Sequence, residues 1–345
     1  MMYVPQMDSI ANRVNKPVRT VQCIQCLNES EFIEFTLKSI YSEVDKIICI
    51  EGAVKNHPKS TPDGHSVDNT VELIQNFKRD HDKDNKLTFV QIRRHWENLE
   101  EIKQCFLDMT SPGDIIIIND ADEIYLPEDI KRVRRFFDLE PHASELIVNF
   151  LHFYADFSHI AKPGPEWNCQ HQRILKHPGF GAKYNSHPVL TDQDGQCTYF
   201  SPHYQHRRFV PSKPVNVFHY GYARSNMDEI MKEKQSYYEK ELEKHAGANK
   251  KFDQKAKDWF SNAEPLLFYD GDQPEVMKTH PTYLKGQRVG FRSHPSFFEK
   301  GLIANWREDP YYKKVLAGEE IGNIWLCMTK QAQPFMSHYH NGIDI

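Results

Sequence analysis

Long hydrophobic runs, a basic excess and a glycine-rich loop behind the first strand are all missing from this 345-residue chain. Without an apolar stretch of about 20 residues there is no candidate membrane-spanning helix. The first residues lack the basic, apolar and small-residue succession of a secretory leader. A formal net charge of −5 gives no electrostatic footprint for general nucleic-acid binding, although it leaves open an enzyme that acts on a nucleic acid. The seven cysteines are odd in number and scattered singly, which excludes an obvious disulfide framework and fits reduced thiols in a cytoplasmic setting. Cys23 and Cys26 spell a CxxC, but they lie in an apolar strand-like run and no second pair follows at zinc spacing, so they read as core thiols. Internal repeats and low-complexity tracts are absent as well. What remains is a chain with length for one large or two ordinary domains and ample material for a core.

Taken in order, residues 1–17 have no clear period and read as an arm. Val18 to Leu27 reads as a first strand. Asn28-Glu29-Ser30 then reads as a cap on a helix from about Glu31 to Tyr41, with Phe32, Phe35, Leu37 and Ile40 available for a buried stripe. A second strand, Lys46 to Ile50, ends at Glu51-Gly52, and strand, helix, strand at this spacing implies a parallel sheet. The loop from Val54 to Asn69, rich in Pro, Gly, His and Asp, is long enough to expect a function. Asp68-Asn69-Thr70 opens a helix to about Arg79, Leu87 to Ile92 gives a third strand, and a helix from about Asn98 to Met109 follows.

The chain is organised around the next stretch, Gly113 to Ile124. Four consecutive isoleucines, Ile115 to Ile118, predict a strand buried on both faces at the centre of a parallel sheet. It ends in Asn119-Asp120-Ala121-Asp122-Glu123. An extended backbone would point Asp120 and Asp122 the same way, into the crevice where open α/β sheets bind ligands. Two such oxygen donors suit Mg²⁺ or Mn²⁺, ions that take only one or two protein carboxylates and complete their shell from water and a substrate diphosphate. The same spelling at Asp80/Asp82, Asp82/Asp84, Asp192/Asp194 and Asp270/Asp272 lies in polar, turn-like surroundings. The competing reading is a solvated strand end whose aspartates make turns or cap the helix starting near Pro127.

Cys26-Leu27-Asn28-Glu29 after strand one, Ile50-Glu51-Gly52 after strand two, Ser66 to Thr70 at a helix start and Asp120-Ala121-Asp122-Glu123 after a buried strand together resemble the GT-A glycosyltransferases, family 2-like. The resemblance spans roughly residues 18–225. It implies an α/β, Rossmann-like nucleotide-diphospho-sugar transferase fold, a nucleotide-sugar donor with UDP the commonest carrier, and a DxD motif holding donor and manganese or magnesium. Carried over by position, Asn28, Glu51, Asp68, Asn98, Asp120, Arg173 and Arg224 bind the donor. Within that set Glu51 contacts the nucleoside, Asp68 shapes the base pocket and Arg224 grips phosphate. Asp120, Asp122 and His219 hold the metal, His219 lying in the segment Val217-Phe218-His219-Tyr220-Gly221, where Gly221 would let the backbone turn tightly. Family members often put a basic residue soon after the Trp that follows strand three. Here His95-Trp96-Glu97-Asn98-Leu99 is followed by none until Lys103, which leaves the nucleotide open.

A helix from about Pro127 to Phe137 and a strand from Glu145 to Tyr154 lead to Trp167 through Lys176, a segment that lies on the acceptor side in similar enzymes. An inverting transfer needs a base near the acceptor hydroxyl, and His171, Asp156 and Glu166 are the candidates. Beyond Ser225 the composition becomes highly charged, with helices expected at about Asn226–Lys244 and Lys250–Asn262; residues 226–345 read as a mostly helical C-terminal extension. The expected activity is metal-dependent hexosyl or N-acetylhexosaminyl transfer to a glycan, lipid-linked, protein or modified-nucleobase acceptor. A nucleotidyltransferase on a similar sheet and a non-catalytic sugar-nucleotide or glycan binder are the alternatives. The first would call for a Gly-rich, basic phosphate loop, and Gln25 to Ser30 has neither glycine nor base. Sugar, acceptor and oligomeric state have no readable signature.

Overall fold

A computed structural model describes residues 18–140, 143–154, 156–161, 170–179, 183–186, 189–191, 208–210, 214–225, 266–285, 305–317 and 340–341. Strands β1 (Thr20–Cys26), β2 (Lys46–Glu51), β3 (Leu87–Gln91) and β4 (Ile115–Asp120) are linked by helices α1 (Ile33–Ser39), α2 (Thr70–Asp80) and α3 (Leu99–Asp108). They pair in the order β4-β1-β2-β3, all parallel, so the three successive strand–helix units bring their carboxyl ends to one edge. Next come β5 (Glu123–Tyr125), α4 (Pro127–Leu139), β6 (Glu145–Tyr154), β7 (His159–Ala161) and β8 (Gln170–Lys176).

The four isoleucines of β4 explain the layering. Ile115 and Ile117 join one core cluster with residues of α1, α2 and α4, while Ile116 and Ile118 join another with Ile102, Phe106 and Leu107 of α3. Alternation along a strand sends successive side chains to opposite faces, so an unbroken apolar run marks a sheet covered on both sides. Each fully buried isoleucine contributes roughly 1.5–3 kcal/mol. Cys23 and Cys26 fall in opposite clusters, and the Cys26 sulfur lies 3.8 Å from that of Cys49 on β2. They are core thiols, as the sequence indicates.

One expectation for β4 is corrected. It is parallel to β1 on one side but antiparallel to β8 on the other, Ile117 opposite Ile174. The acidic strand end therefore sits at the junction between a parallel block and a mixed one. β6 is the hub of the mixed half, pairing antiparallel with β7 and β8 and parallel with β11 (Arg208–Val210) and β12 (Asn216–Tyr222). β12 also runs antiparallel to β5, with His219 opposite Glu123. A separate pair is formed by β9 (Lys183–Ser186) and β10 (Val189–Thr191).

The described part of the C-terminal third is mostly helical, as expected, and adds two short strands to the sheet. β13 (Leu266–Phe268) pairs with β7, and β14 (His340–Asn341) pairs with β11. Short helices α5 (Pro281–Lys285) and α6 (Pro310–Leu316) accompany them. Trp306 and Tyr312 pack with Phe32, Phe153, Phe218, Tyr220 and Tyr269 in an aromatic core. The arm at 1–17 and the helices expected at 226–244 and 250–262 lie outside the described residues. No described helix is long and apolar enough to cross a membrane.

Candidate functional site

β4 stops being extended at Asp120, and Ala121-Asp122 form the turn into β5. Strand alternation therefore does not aim the two aspartates together, as the sequence suggested; each is held by its own arginine. Arg173, on β8, donates to Asp120 Oδ2 at 3.1 Å and to Glu123 Oε1 at 2.7 Å. Arg224, just past β12, donates to Asp122 Oδ2 and to Glu29 Oε2, both at 2.6 Å. Burial would raise the Asp120 pKa, but the Arg173 guanidinium, aided by Lys103 and a hydrogen bond from Gln25, brings it below the usual carboxylate range. Burial dominates at Glu123 and pushes it well above, against the pull of Arg173. Both arginines stay charged, since the neighbouring carboxylates outweigh their desolvation. The Nε of each is buried without a hydrogen-bond partner.

His219 reaches the same place from β12. Its Nε2 lies 3.7 Å from Asp122 Oδ1, and its Nδ1 lies 2.9 Å from Nδ1 of His152 on β6. Gly221 was expected to supply a tight turn, yet β12 runs through it to Tyr222. What it supplies is room: a Cβ there would lie 2.6 Å from Asp122 Oδ2 and 2.7 Å from His219 Nε2. Among the described residues no three His, Cys, Asp or Glu side chains stand as a metal cluster. Asp122 and His219 instead make a two-donor cradle, one hard oxygen and one imidazole nitrogen, that a methyl group would fill. That donor set fits a divalent ion that draws its other ligands from water and substrate.

Sequence reasoning missed two residues here. His152 looked like part of an apolar run, Phe150-Leu151-His152-Phe153, and only strand register reveals that it faces His219. In the sequence Lys103 stands out only as the first base after Trp96. It is buried, and although burial and Arg173 lower its pKa, it stands within electrostatic reach of Asp120 and Glu123. One to two turns into α3 is therefore where the chain delivers a cation to the site.

Glu51 is fully buried beneath the long loop. Its Oε1 accepts from the backbone N–H and hydroxyl of Ser66 at 2.6 and 2.7 Å, and its Oε2 meets His65 Nδ1 at 2.8 Å and Gln91 Nε2 at 3.0 Å. Its carboxylate thus ties the loop to the end of β2 and to Gln91 of β3. Asn28 adopts a left-handed φ of 55° and ties the same loop, donating to the Lys59 carbonyl and accepting from the Val67 N–H, both at 2.8 Å. It does not cap α1, whose N-terminus has no side-chain cap. Asp68 accepts from the Ser30 N–H and from the N–H and hydroxyl of Thr70. Those bonds hold its pKa below the usual range against burial, which pulls the other way. Asn98 caps α3, its Oδ1 accepting from the Glu101 N–H at 2.9 Å. Beside this loop the indole N–H of Trp96 is buried without a partner, against Gly52.

Of the base candidates, His171 lies on the face of β8 that also carries Arg173. Its ring centroid is 4.5 Å from Phe150 and 6.2 Å from His152, and Arg173 lies over the same Phe150 ring. Asp156 is buried in the β6–β7 connection, accepting from the Ser158 N–H and pairing with His159 Nδ1, both at 2.8 Å. Glu166 lies outside the described residues.

No protein-family model matches the chain, and no curated protein does. Solved structures overlap with part of it. S. aureus TarS matches with a TM-score of 0.30 at 11% identity, over 46% of this chain and 47% of that one. A glucosyl-3-phosphoglycerate synthase from Mycobacterium tuberculosis, in complex with Mn²⁺, UDP and glucosyl-3-phosphoglycerate, matches at 0.26 and 20% identity, over 39% and 44%. Mannose-6-phosphate isomerase from Helicobacter pylori matches at 0.27 and 12% identity, over 46% and 62%. The chain spans about half the length of the solved TarS fragment, residues 1–349, and less of the synthase. Overlaps this partial carry no weight for chemistry, which rests on the residues themselves.

Proposed function

We propose that this protein is a metal-dependent glycosyltransferase that moves a sugar from a nucleoside-diphosphate sugar, UDP-linked, to an acceptor hydroxyl with inversion. The observation that carries the reading is the convergence at the end of β4, on the carboxyl edge of the parallel strands, of Asp120, Asp122 and His219 with Arg173, Arg224 and Lys103. This combines groups that hold a divalent ion with groups that hold a polyanion. Asp122 and His219 would hold Mn²⁺ or Mg²⁺, and Asp120, through its pairing with Arg173, sets the charge beside them. When bound, such an ion supplies Lewis-acid neutralisation of charge on a departing diphosphate. Arg224 and Arg173 contribute fixed guanidiniums suited to phosphate oxygens. The loop braced by Glu51, Asn28 and Asp68 forms a wall for the nucleoside, with the Trp96 N–H as a donor. His171, beside Arg173 on β8, takes the acceptor proton. The transferred group is a hexose or N-acetylhexosamine, and the acceptor is a glycan, lipid-linked, protein or modified-nucleobase hydroxyl.

The test is turnover of UDP-sugars with Mn²⁺ by the wild type and by Asp122→Asn. Loss of transfer is expected from a variant whose circular dichroism shows it folded, even though the weakened Arg224 pair lowers its melting temperature. Undiminished turnover by the variant refutes the role of Asp122. A second reading, a non-catalytic sugar-nucleotide binder, is favoured by one specific observation: both aspartates are already neutralised by arginines. Calorimetry that finds UDP-sugar binding with neither hydrolysis nor transfer would select it.

A further inference from the structure

His152 lies beside His219 in the β6–β12 register, and only 8% of it is exposed. The two rings meet nearly perpendicular, at 87°, with their Nδ1 atoms 2.9 Å apart. A contact that short requires one nitrogen to donate and the other to accept, so the tautomers of the two rings are linked. At the far side of its ring, His219 Nε2 is 3.7 Å from Asp122 Oδ1. That is beyond hydrogen-bond range. Two ligands of one cation, each about 2.1 Å from it, lie roughly 3–4 Å apart. The separation leaves no direct N–H···O bond, and a small approach of the two atoms would let one ion meet both. Asp122 Oδ2 is engaged by Arg224, and Oδ1 is turned toward the imidazole.

We propose that His152 is a positioning residue. Its Nδ1 accepts the Nδ1–H of His219 and so fixes His219 in the tautomer whose Nε2 lone pair faces Asp122. The proposal rests on the glycosyltransferase reading to the extent that Asp122 and His219 are taken as the ion-holding pair. An imidazole nitrogen beside a carboxylate oxygen favours Mn²⁺ over Mg²⁺, so the histidine pair also sets metal preference. The outer partner of a ligating histidine is typically worth about 10–100-fold in metal affinity.

Two measurements on the full chain decide the matter: ¹⁵N NMR of labelled histidine side chains in the metal-free protein, and Mn²⁺ titration in the presence of UDP, followed by the electron paramagnetic resonance of free Mn²⁺. Wild type is expected to show His219 as the Nδ1–H tautomer. His152→Phe should lose that tautomer preference and bind Mn²⁺ about 10–100-fold more weakly. His152→Asn, whose amide oxygen can accept the same proton, should restore both. An Nε2–H tautomer for His219 in wild type, or unchanged Mn²⁺ affinity in His152→Phe, overturns the assignment. If Asp122→Asn binds Mn²⁺ as tightly as wild type, the metal-site reading fails instead, and the tautomer of wild-type His219 still decides the role of His152.

Discussion

Protonation of His280 should loosen the aromatic core that joins the C-terminal third to the sheet. Its ring stacks on Phe32 at 5.2 Å and 10°, packs against Phe35 and Phe157, and is 2% exposed as a residue. Nδ1 accepts from the Thr282 N–H at 3.1 Å, a bond that protonation would break. Burial pulls its pKa from 6.5 down to about 4, against a smaller upward pull from a hydrogen bond at Glu31. The Glu31 carboxylate itself is 4.0 Å from Nε2. Because the folded value is depressed, the unfolded chain binds the proton first. The neutral ring's contribution is thus fully present above pH ~6.5 and is lost as pH falls toward about 4. Applied to those two values, linkage gives a loss of roughly 2 kcal/mol between pH 7.5 and pH 5. Urea unfolding of wild type and His280→Gln at both pH values measures it, since the difference cancels every other titrating group. The variant should lose roughly 2 kcal/mol less than wild type over that interval. Equal losses would mean that the ring is protonated in the folded protein, and the packing argument would fail.

Two substitutions in the site separate stability from binding. Arg173→Ala leaves Asp120 and the fully buried end of Glu123 without their guanidinium, and a stranded buried charge costs about 3–5 kcal/mol; a urea midpoint within error of wild type would contradict the pairing. Gly221→Ala places a methyl 2.6 Å from Asp122 Oδ2 and 2.7 Å from His219 Nε2, so one of the two must shift. Mn²⁺-dependent donor binding should therefore fall at least tenfold, on the order of 1.4 kcal/mol; calorimetry showing unchanged binding would remove the cradle.

The parallel block was legible because its signals are local. The isoleucine run of β4, the apolar strands ending at Cys26 and Glu51, and Pro127 at the first turn of α4 each depend on a few neighbouring residues. The antiparallel insertion of β8 was not, because Arg173-Ile174-Leu175 reads the same whichever way it runs beside β4. The residue types of Asn28, Asn98 and Asp156 marked them as polar groups at strand ends and helix starts, but caps, turns and ligand contacts use the same chemistry. In the structure the backbone claims all three. The pairing of Asp120 with Arg173 and of Asp122 with Arg224 spans more than fifty residues in each case. Nothing in the spelling of a DxD shows which cations will face it, or that His152 will stand behind His219.

That pairing has a consequence for the order in which ligands bind. Glu29, Asp120 and Asp122 stand against Arg173, Arg224 and Lys103, and burial holds Glu123 well above the usual carboxylate range, so the site holds little uncompensated charge of either sign. A divalent cation arriving alone finds carboxylates already satisfied, and a nucleoside diphosphate arriving alone brings negative charge that the arginines, engaged with carboxylates, only partly offset. Each ligand supplies the charge the other lacks. Mn²⁺ and UDP should therefore bind synergistically, with a coupling of about 1–3 kcal/mol, or ~5–150-fold in affinity. Titrating Mn²⁺ with and without saturating UDP, and UDP with and without saturating Mn²⁺, must return the same factor, because coupling between bound ligands is reciprocal. Independent affinities would show that the cation does not sit between these carboxylates and the diphosphate, and the arginines would then be the groups that neutralise it.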